Sequence, residues 1–403
     1  MAGRDGTNGH KQPRNAKVRR RRVVIMGGAV GAFLAAAAMA TGSAVTAAPA
    51  KADIDALLDP IIQPLVTSLS DAIAGVDPAA ATDLTSWTDS LLSSLNSIDL
   101  ALPPTAESAA AAASSTSDVT GTNVDIPLTV NEVTEPTVQA SIDGSSDQTL
   151  LVDTGSSGLV IPWQDLGLLQ TLELGLPTGI GEGGYSGGVD YIYLTYDTSV
   201  DYGGVLTTTG TPVDVEILSW PTSLSSGSPL DFQQFLADDQ VSGILGVGPT
   251  GTGPGTSPLE SAGFNGVTVD IPQNELVIGS NAGTPIDTVS TVSGAPIPTL
   301  YESINGGTPV AVSDDVDSGG VYGTIPSSLV GNAGSVPPGT LISVYTSPGG
   351  TELYHYTTGL DSLGQSTAPT VVSGTSIDSG VVPYLNEPIY IDYANDTLTF
   401  DQP

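Results

Sequence analysis

Apolar residues recur at two different periods along this chain, and the change of period divides it. Ile54, Leu57, Leu58, Ile61, Ile62, Leu65, Val66, Leu69 and Ile73 repeat at helical spacing, with Asp59-Pro60 as a cap and first position inside the run. A second helical set, Leu84, Trp87, Leu91, Leu95 and Ile98, follows the break at Asp77-Pro78. The spacing therefore predicts a short helical segment over 53–102, followed by an Ala/Ser-rich linker over 103–118 that opens on Pro103-Pro104. Beyond Val119 the period falls to two. Asp190 to Tyr196 alternates polar and apolar, as a half-buried strand does, and further strands are expected near Val124–Val130, Val138–Ile142 and Val213–Leu218. With 49 glycines, 30 prolines and few aromatics, the body of the chain is expected to be all-β, with many short strands and turns.

Two short stretches break the strand pattern in the same way. Leu150-Leu151-Val152 runs directly into Asp153-Thr154-Gly155-Ser156, so a buried strand delivers a carboxylate to a tight turn. Val316-Asp317-Ser318-Gly319-Gly320 repeats the arrangement 164 residues later, and in both copies an Ile-Pro pair stands eight and nine residues past the Asp. Internal repetition of this kind predicts two similar lobes, each offering one Asp to a shared cleft. Carboxylates facing each other at about 3 Å share one proton, so one acts as base and its partner as acid. Such a pair activates water against a peptide carbonyl with no thiol and no imidazole. That suits a chain without cysteine, whose histidines are His10 and His355.

Leu151-Val152-Asp153-Thr154-Gly155-Ser156-Ser157-Gly158 resembles the first active-site motif of pepsin-like aspartic proteases. Val241 to Gly248 is similar to the apolar-apolar-Gly segment that packs behind that motif, and the likeness runs over about residues 119 to 403. In its Gly/Thr/Ser-rich style and its ending Pro388-Ile389-Tyr390-Ile391-Asp392-Tyr393, the chain looks closest to the aspartic protease domains of mycobacterial PE-family surface proteins. The resemblance implies a bilobal pepsin-like fold, with an N-terminal lobe over 119–283 and a C-terminal lobe over 284–403. It also implies an endopeptidase whose catalytic residues are Asp153 and Asp317. Thr154 and Ser318 are expected to bond across the lobe interface, Gly155 and Gly319 to leave room beside the carboxyls, and Ser156 to donate to Asp153.

Gly320 departs from the pepsin pattern, because it stands where a hydroxyl would donate to the second Asp. With one donor fewer, Asp317 is expected to be the harder to ionise and to start protonated, and the working pH should lie above pepsin's strongly acidic range. Ile377-Asp378-Ser379-Gly380 is a competing Asp-Ser-Gly, but it lacks the downstream Ile-Pro. By its distance from the first Asp, a hairpin resembling the family's flap is expected near Tyr196, with Tyr202 as the alternative. The plainer reading of either tyrosine is cross-strand pairing, since the chain lacks the Tyr-Gly-x-Gly of pepsins.

Charge changes the picture further. All nine Lys and Arg residues lie within the first 51 positions, whereas of the 43 acidic residues only Asp5 precedes Asp53. The remainder repels nucleic acid and offers no basic patch to bind it. An acidic surface keeps an exported protein soluble. A sharper expectation is tolerance of acid, because protonation relieves self-repulsion and no ion pair with Lys or Arg exists to be lost. Arg19 to Arg22 precede an apolar run over Val23–Ala40 and small residues ending in Ala50-Lys51-Ala52, the pattern of an export signal over 1–52 by a twin-arginine or general route. Secretion or cell-surface placement follows, with an uncleaved anchor as the alternative.

The segment 53–102 is either a module for association with the cell envelope or a hairpin packed on the protease. Self-cleavage is expected in the exposed linker. Asp314-Asp315-Val316-Asp317 suggests calcium, but without the spaced oxygens and closing Glu of a calcium loop. Gly251 to Thr256 is a turn rather than a phosphate loop, because no Lys follows it. No metal or cofactor is implied. Two lobes in one chain need no dimer, so a monomer acting on polypeptides is expected. The alternative from another class is a catalytically silent bilobal module that binds extended peptides or envelope polymers.

Overall fold

The computed structural model describes residues 123–223, 229–331 and 333–403, which fall in one compact unit. The export signal, helical segment and linker expected over 1–118 lie outside the described residues.

The chain enters through β1 (Val124–Pro127) and then builds the first lobe. That lobe uses β2 (Thr129–Asn131), β3 (Glu135–Ile142), β4 (Gln148–Asp153), β5 (Leu159–Pro162), β6 (Gly179–Tyr185), β7 (Val189–Tyr202), β8 (Leu206–Pro221) and β9 (Gly243–Gly246). Short helices α1 (Trp163–Leu166), α2 (Leu168–Glu173) and α3 (Phe232–Ala237) fill the connections, and α4 (Pro258–Ser261) follows β9. The chain then returns beside its own start as β10 (Gly266–Asp270), β11 (Glu275–Ile278) and β12 (Pro285–Ser290). The second lobe comprises β13 (Thr299–Ile304), β14 (Val310–Asp315), β15 (Thr324–Pro326), β16 (Leu341–Tyr345), β17 (Glu352–Thr357), β18 (Thr370–Val372) and β19 (Ser376–Asp378). After α5 (Val382–Asn386) the chain closes with β20 (Ile389–Asp392) and β21 (Thr397–Asp401).

The described residues form three sheets, and the fold is the all-β, two-lobed architecture expected. An eight-stranded sheet in the order β2-β3-β4-β9-β5-β8-β7-β6 forms the first lobe, and a β3–β7 pairing folds it back on itself. A seven-stranded sheet, β17-β16-β13-β14-β19-β15-β18, forms the second. Between them β1, β11, β10, β20, β21 and β12 make a six-stranded base that both ends of the described chain enter. Each lobe sheet is mixed at the same place. β4 runs parallel to β9 and β14 runs parallel to β19, so the strand leading to each motif Asp lies at the centre of its lobe.

Central strands are buried on both faces, and hence read as apolar runs instead of alternating. Leu150 and Val152 enter the main core with Val213, Val215 and Leu245, whereas Leu151 enters a second cluster with Val160, Ile244 and aromatic residues. β7 shows a different effect. Its buried residues are Val189, Tyr191 and Tyr193, and then Tyr196, Thr198, Val200 and Tyr202, so the buried set changes parity midway along a 14-residue strand. The first set joins the aromatic cluster and the second joins the main core.

Candidate active site

β4 carries Asp153 at its end, and Asp317 follows β14 by two residues. The two turns that receive these residues are interlocked. The Thr154 amide donates to Ser318 Oγ at 3.0 Å, and the Ser318 amide donates to Thr154 Oγ1 at 2.8 Å. Each hydroxyl then donates into the opposite strand: Thr154 Oγ1 to the Val316 carbonyl at 2.9 Å and Ser318 Oγ to the Val152 carbonyl at 2.7 Å. All four bonds are buried, where a lost partner costs more than an exposed bond contributes. The two turns that carry the carboxyls are therefore fixed relative to each other by these four bonds.

Glycine is required on both sides for the carboxyls to meet. A Cβ on Gly155 would sit 2.6 Å from Asp317 Cγ, and one on Gly319 would sit 2.9 Å from Asp153 Cγ. Each motif thus clears space for the opposite aspartate. The Gly155 amide donates to Asp153 Oδ1 at 2.9 Å and reaches Asp317 Oδ1 at 3.2 Å, while the Gly319 amide donates to Asp317 Oδ1 at 2.8 Å. Both carboxyls are almost wholly buried, at 4% exposure each.

Their surroundings nevertheless differ. Ser156 Oγ donates to Asp153 Oδ2 at 2.8 Å, and Gly320 offers no counterpart to Asp317. Burial raises Asp317 well above the ordinary carboxylate range, and the neighbouring Asp153, Asp378 and Asp315 push it further the same way. These surroundings favour the acid form of Asp317.

Asp378 does not face Asp153. It ends β19, in register with Asp315, and its carboxyl lies against Gly320. Tyr196 and Tyr202 lie in the main core, 5% exposed or less. The tyrosine that the fold brings to the motif is Tyr185, at the tip of the β6–β7 hairpin, where Ser186-Gly187-Gly188 makes the turn. Its hydroxyl lies beside Ser156 and Tyr191 and within the field of Asp153. Its ring stacks on Tyr191 at 5.6 Å, on Phe235 at 5.6 Å and on Phe232 at 5.9 Å. The signal in the sequence was the dipeptide Gly187-Gly188 after a tyrosine, eleven residues ahead of Tyr196.

Tyr384 is a second residue that local patterns did not reveal. From α5 its hydroxyl stands 3.0 Å from both Thr154 Oγ1 and the Val316 carbonyl, bracing the interlocked turns from below. Behind the first motif, the amides of Val247 and Gly248 donate to the carbonyls of Asp153 and Ser156, each at 2.8 Å. The segment after it, read as a turn, holds Ser157: the Ser157 amide donates to the Gly253 carbonyl at 3.2 Å. Among the described residues no group of three His, Asp or Glu side chains is placed to hold a metal ion. His355 lies at the surface, paired with Glu352 at 2.8 Å.

Two curated proteins, both called PE cleavage protein A, are similar over the same region. One from Mycobacterium tuberculosis (strain ATCC 25618 / H37Rv) is 43% identical over 297 residues, covering 69% of this chain and 52% of the relative. One from Mycobacterium marinum (strain ATCC BAA-535 / M) is 42% identical over 298 residues, with the same shares covered. The chain thus spans about half the length of the curated relatives it matches. The family described as the PE-PGRS C-terminal aspartyl peptidase-like domain matches residues 124–399, which hold the whole two-lobed body and both aspartates. The chain belongs to that family.

Proposed function

We propose that this protein is an exported aspartic endopeptidase, acting on polypeptides at or beyond the cell surface, with Asp153 and Asp317 as its catalytic pair. The observation that carries the reading is the reciprocal fit of the two motifs, in which the glycine of each leaves space for the carboxyl of the other. Asp153, with two donors of its own, takes the proton of a water held between the carboxyls. Asp317, held protonated, donates to the oxygen of the scissile carbonyl. The water oxygen adds to the carbonyl carbon, giving a gem-diol; as the C–N bond breaks, the proton gathered by Asp153 passes to the leaving nitrogen and a gem-diol hydroxyl returns its proton to Asp317.

Tyr185 fits the part of the tyrosine that closes over substrate, because its hydroxyl lies beside Ser156 at the end of a hairpin and its ring belongs to an apolar aromatic cluster. The relatives' name says that they cleave PE proteins, and exported proteins of that class are the substrates we propose here. The N-terminal basic and apolar run supports export.

Cleavage of an unfolded protein by the mature chain across pH 3 to 8 tests the reading. Asp153→Asn and Asp317→Asn should each reduce kcat/KM by about a thousandfold or more while the protein stays folded. Activity retained in either variant, or none in the parent at any pH, would sink it.

A further inference from the structure

The strands behind the two aspartates place unlike residues at matching positions. In the first lobe Leu151 pairs with Ile244 and Val160 with Ile244, so hydrocarbon lies behind Asp153. In the second lobe the same registers pair Asp315 with Asp378 and Thr324 with Asp378. Asp378 thus replaces Ile244, and Ser379 replaces Leu245. The replacement explains Gly320. A Cβ there would lie 2.6 Å from Asp378 Oδ1, so the site of a hydroxyl side chain is already taken by this carboxyl, which enters from the neighbouring strand.

We propose that Asp378 is a positioning residue for Asp317, filling from β19 the place that the Ser156 side chain fills beside Asp153 and keeping Asp317 in its acid form. Its own orientation is fixed by the Gly380 amide, which donates to Asp378 Oδ1 at 2.9 Å. Asp378 is 5% exposed. Among the described residues, Asp314 and Asp317 lie within its field. β14 contributes Asp314, Asp315 and the following Asp317, while Glu302 on β13 lies within the field of Asp314. Tyr354 and Tyr356 on β17 lie within the field of Asp314 and Glu302, and Tyr384 on α5 within that of Asp317 and Asp315. Buried carboxyls in such a group hold protons jointly, so that ionising one raises the cost of ionising the next. A neutral Asp378 is a polar filler, and an ionised one opposes loss of the Asp317 proton. The inference rests on the peptidase reading for its mechanism, but not for all of its tests.

Asp378→Asn keeps the shape and removes the charge. It should move the high-pH limb of the kcat/KM profile down by about one pH unit, with kcat at the optimum within about threefold of the parent. Asp314→Asn, one residue further from Gly320 along the ladder, should move the limb by less than half as much. An unmoved limb in Asp378→Asn overturns the inference, as does an equal shift in both variants, which would mark a diffuse field instead of a positioned group. A second measurement needs no catalysis: the fall in melting temperature between pH 4 and pH 7.5 in Asp378→Asn, Asp317→Asn and the double variant. Coupled groups give a double-variant change clearly smaller than the sum of the single changes, and strict additivity overturns the inference. An inactive parent with coupled melts would leave Asp378 acting on Asp317 and remove only the peptidase reading.

Discussion

The two lobes run the same backbone path through interiors of different polarity. Behind Asp153 the central strands meet through Leu150, Leu151, Ile244 and Leu245, all fully buried. Behind Asp317 the matching positions are Asp314, Asp315, Asp378 and Ser379, with Asp314 fully buried and its carboxyl bonded to the Ser379 hydroxyl. A hydrocarbon interior is indifferent to pH. A carboxyl interior depends on pH, because burial disfavours the ionised form. Burial accordingly raises Asp314 to about 7 and pushes Glu302 well above the ordinary range, with Asp314 adding to the latter. The first lobe keeps buried carboxyls of its own, Asp214 and Glu216, each raised to about 7 mainly by burial, but they lie on β8, off the strand that carries its aspartate. The comparison teaches that one geometry is compatible with two means of filling the space behind a motif aspartate, and that the choice decides how its surroundings respond to protons.

The strongest way to break the comparison is to give the first lobe the residue of the second. Ile244→Asp places an unpaired carboxyl among Leu151, Val160 and Tyr191. We expect it to cost about 4 kcal/mol or more at pH 7, and distinctly less at pH 4 where the new group is protonated. Chemical denaturation at the two pH values measures this, and equal losses would mean that the first lobe tolerates charge as the second does.

A smaller effect concerns the parent protein. Asp214 and Asp314 rise from an ordinary 3.8 to about 7, so between about pH 4 and pH 7 the folded chain holds protons that the unfolded chain has released. Stability is therefore present in full below about pH 4 and falls as pH rises through 7, by a few kcal/mol per group as an order of magnitude. Melting temperature should drop across that window, and Asp314→Asn should flatten the slope. A melt lower at pH 4 than at pH 7 contradicts the assignment.

The smallest effect sharpens the comparison at the junction of the lobes. Tyr384→Phe removes the hydroxyl beside Thr154 and Val316, and should cost about 1 kcal/mol with a several-fold loss of kcat and little change in KM. Loss in KM alone would place Tyr384 outside the bracing of the aspartates.

What the sequence determined by itself is what local chemistry encodes. A strand that ends in Asp, a glycine two residues on and an Ile-Pro pair at fixed distance are written in consecutive residues. Their repetition made two lobes, an all-β body and facing carboxyls legible before any coordinates. Even the missing donor at Gly320 could be read. Tertiary structure alone decided which side chains face the pair. The alternating run on β7 gave no sign that its buried face changes parity between Tyr193 and Tyr196, so Tyr196 and Tyr202 went to the main core, while Tyr185 joined the aromatic cluster with its hydroxyl beside Ser156. Asp378 read as a second Asp-Ser-Gly, yet the parallel pairing of β14 with β19 turned it into a neighbour of Gly320. Tyr384 reached Thr154 across 230 residues. Facing and register depend on how strands from distant parts of the chain align, and a residue's own neighbours carry no record of that.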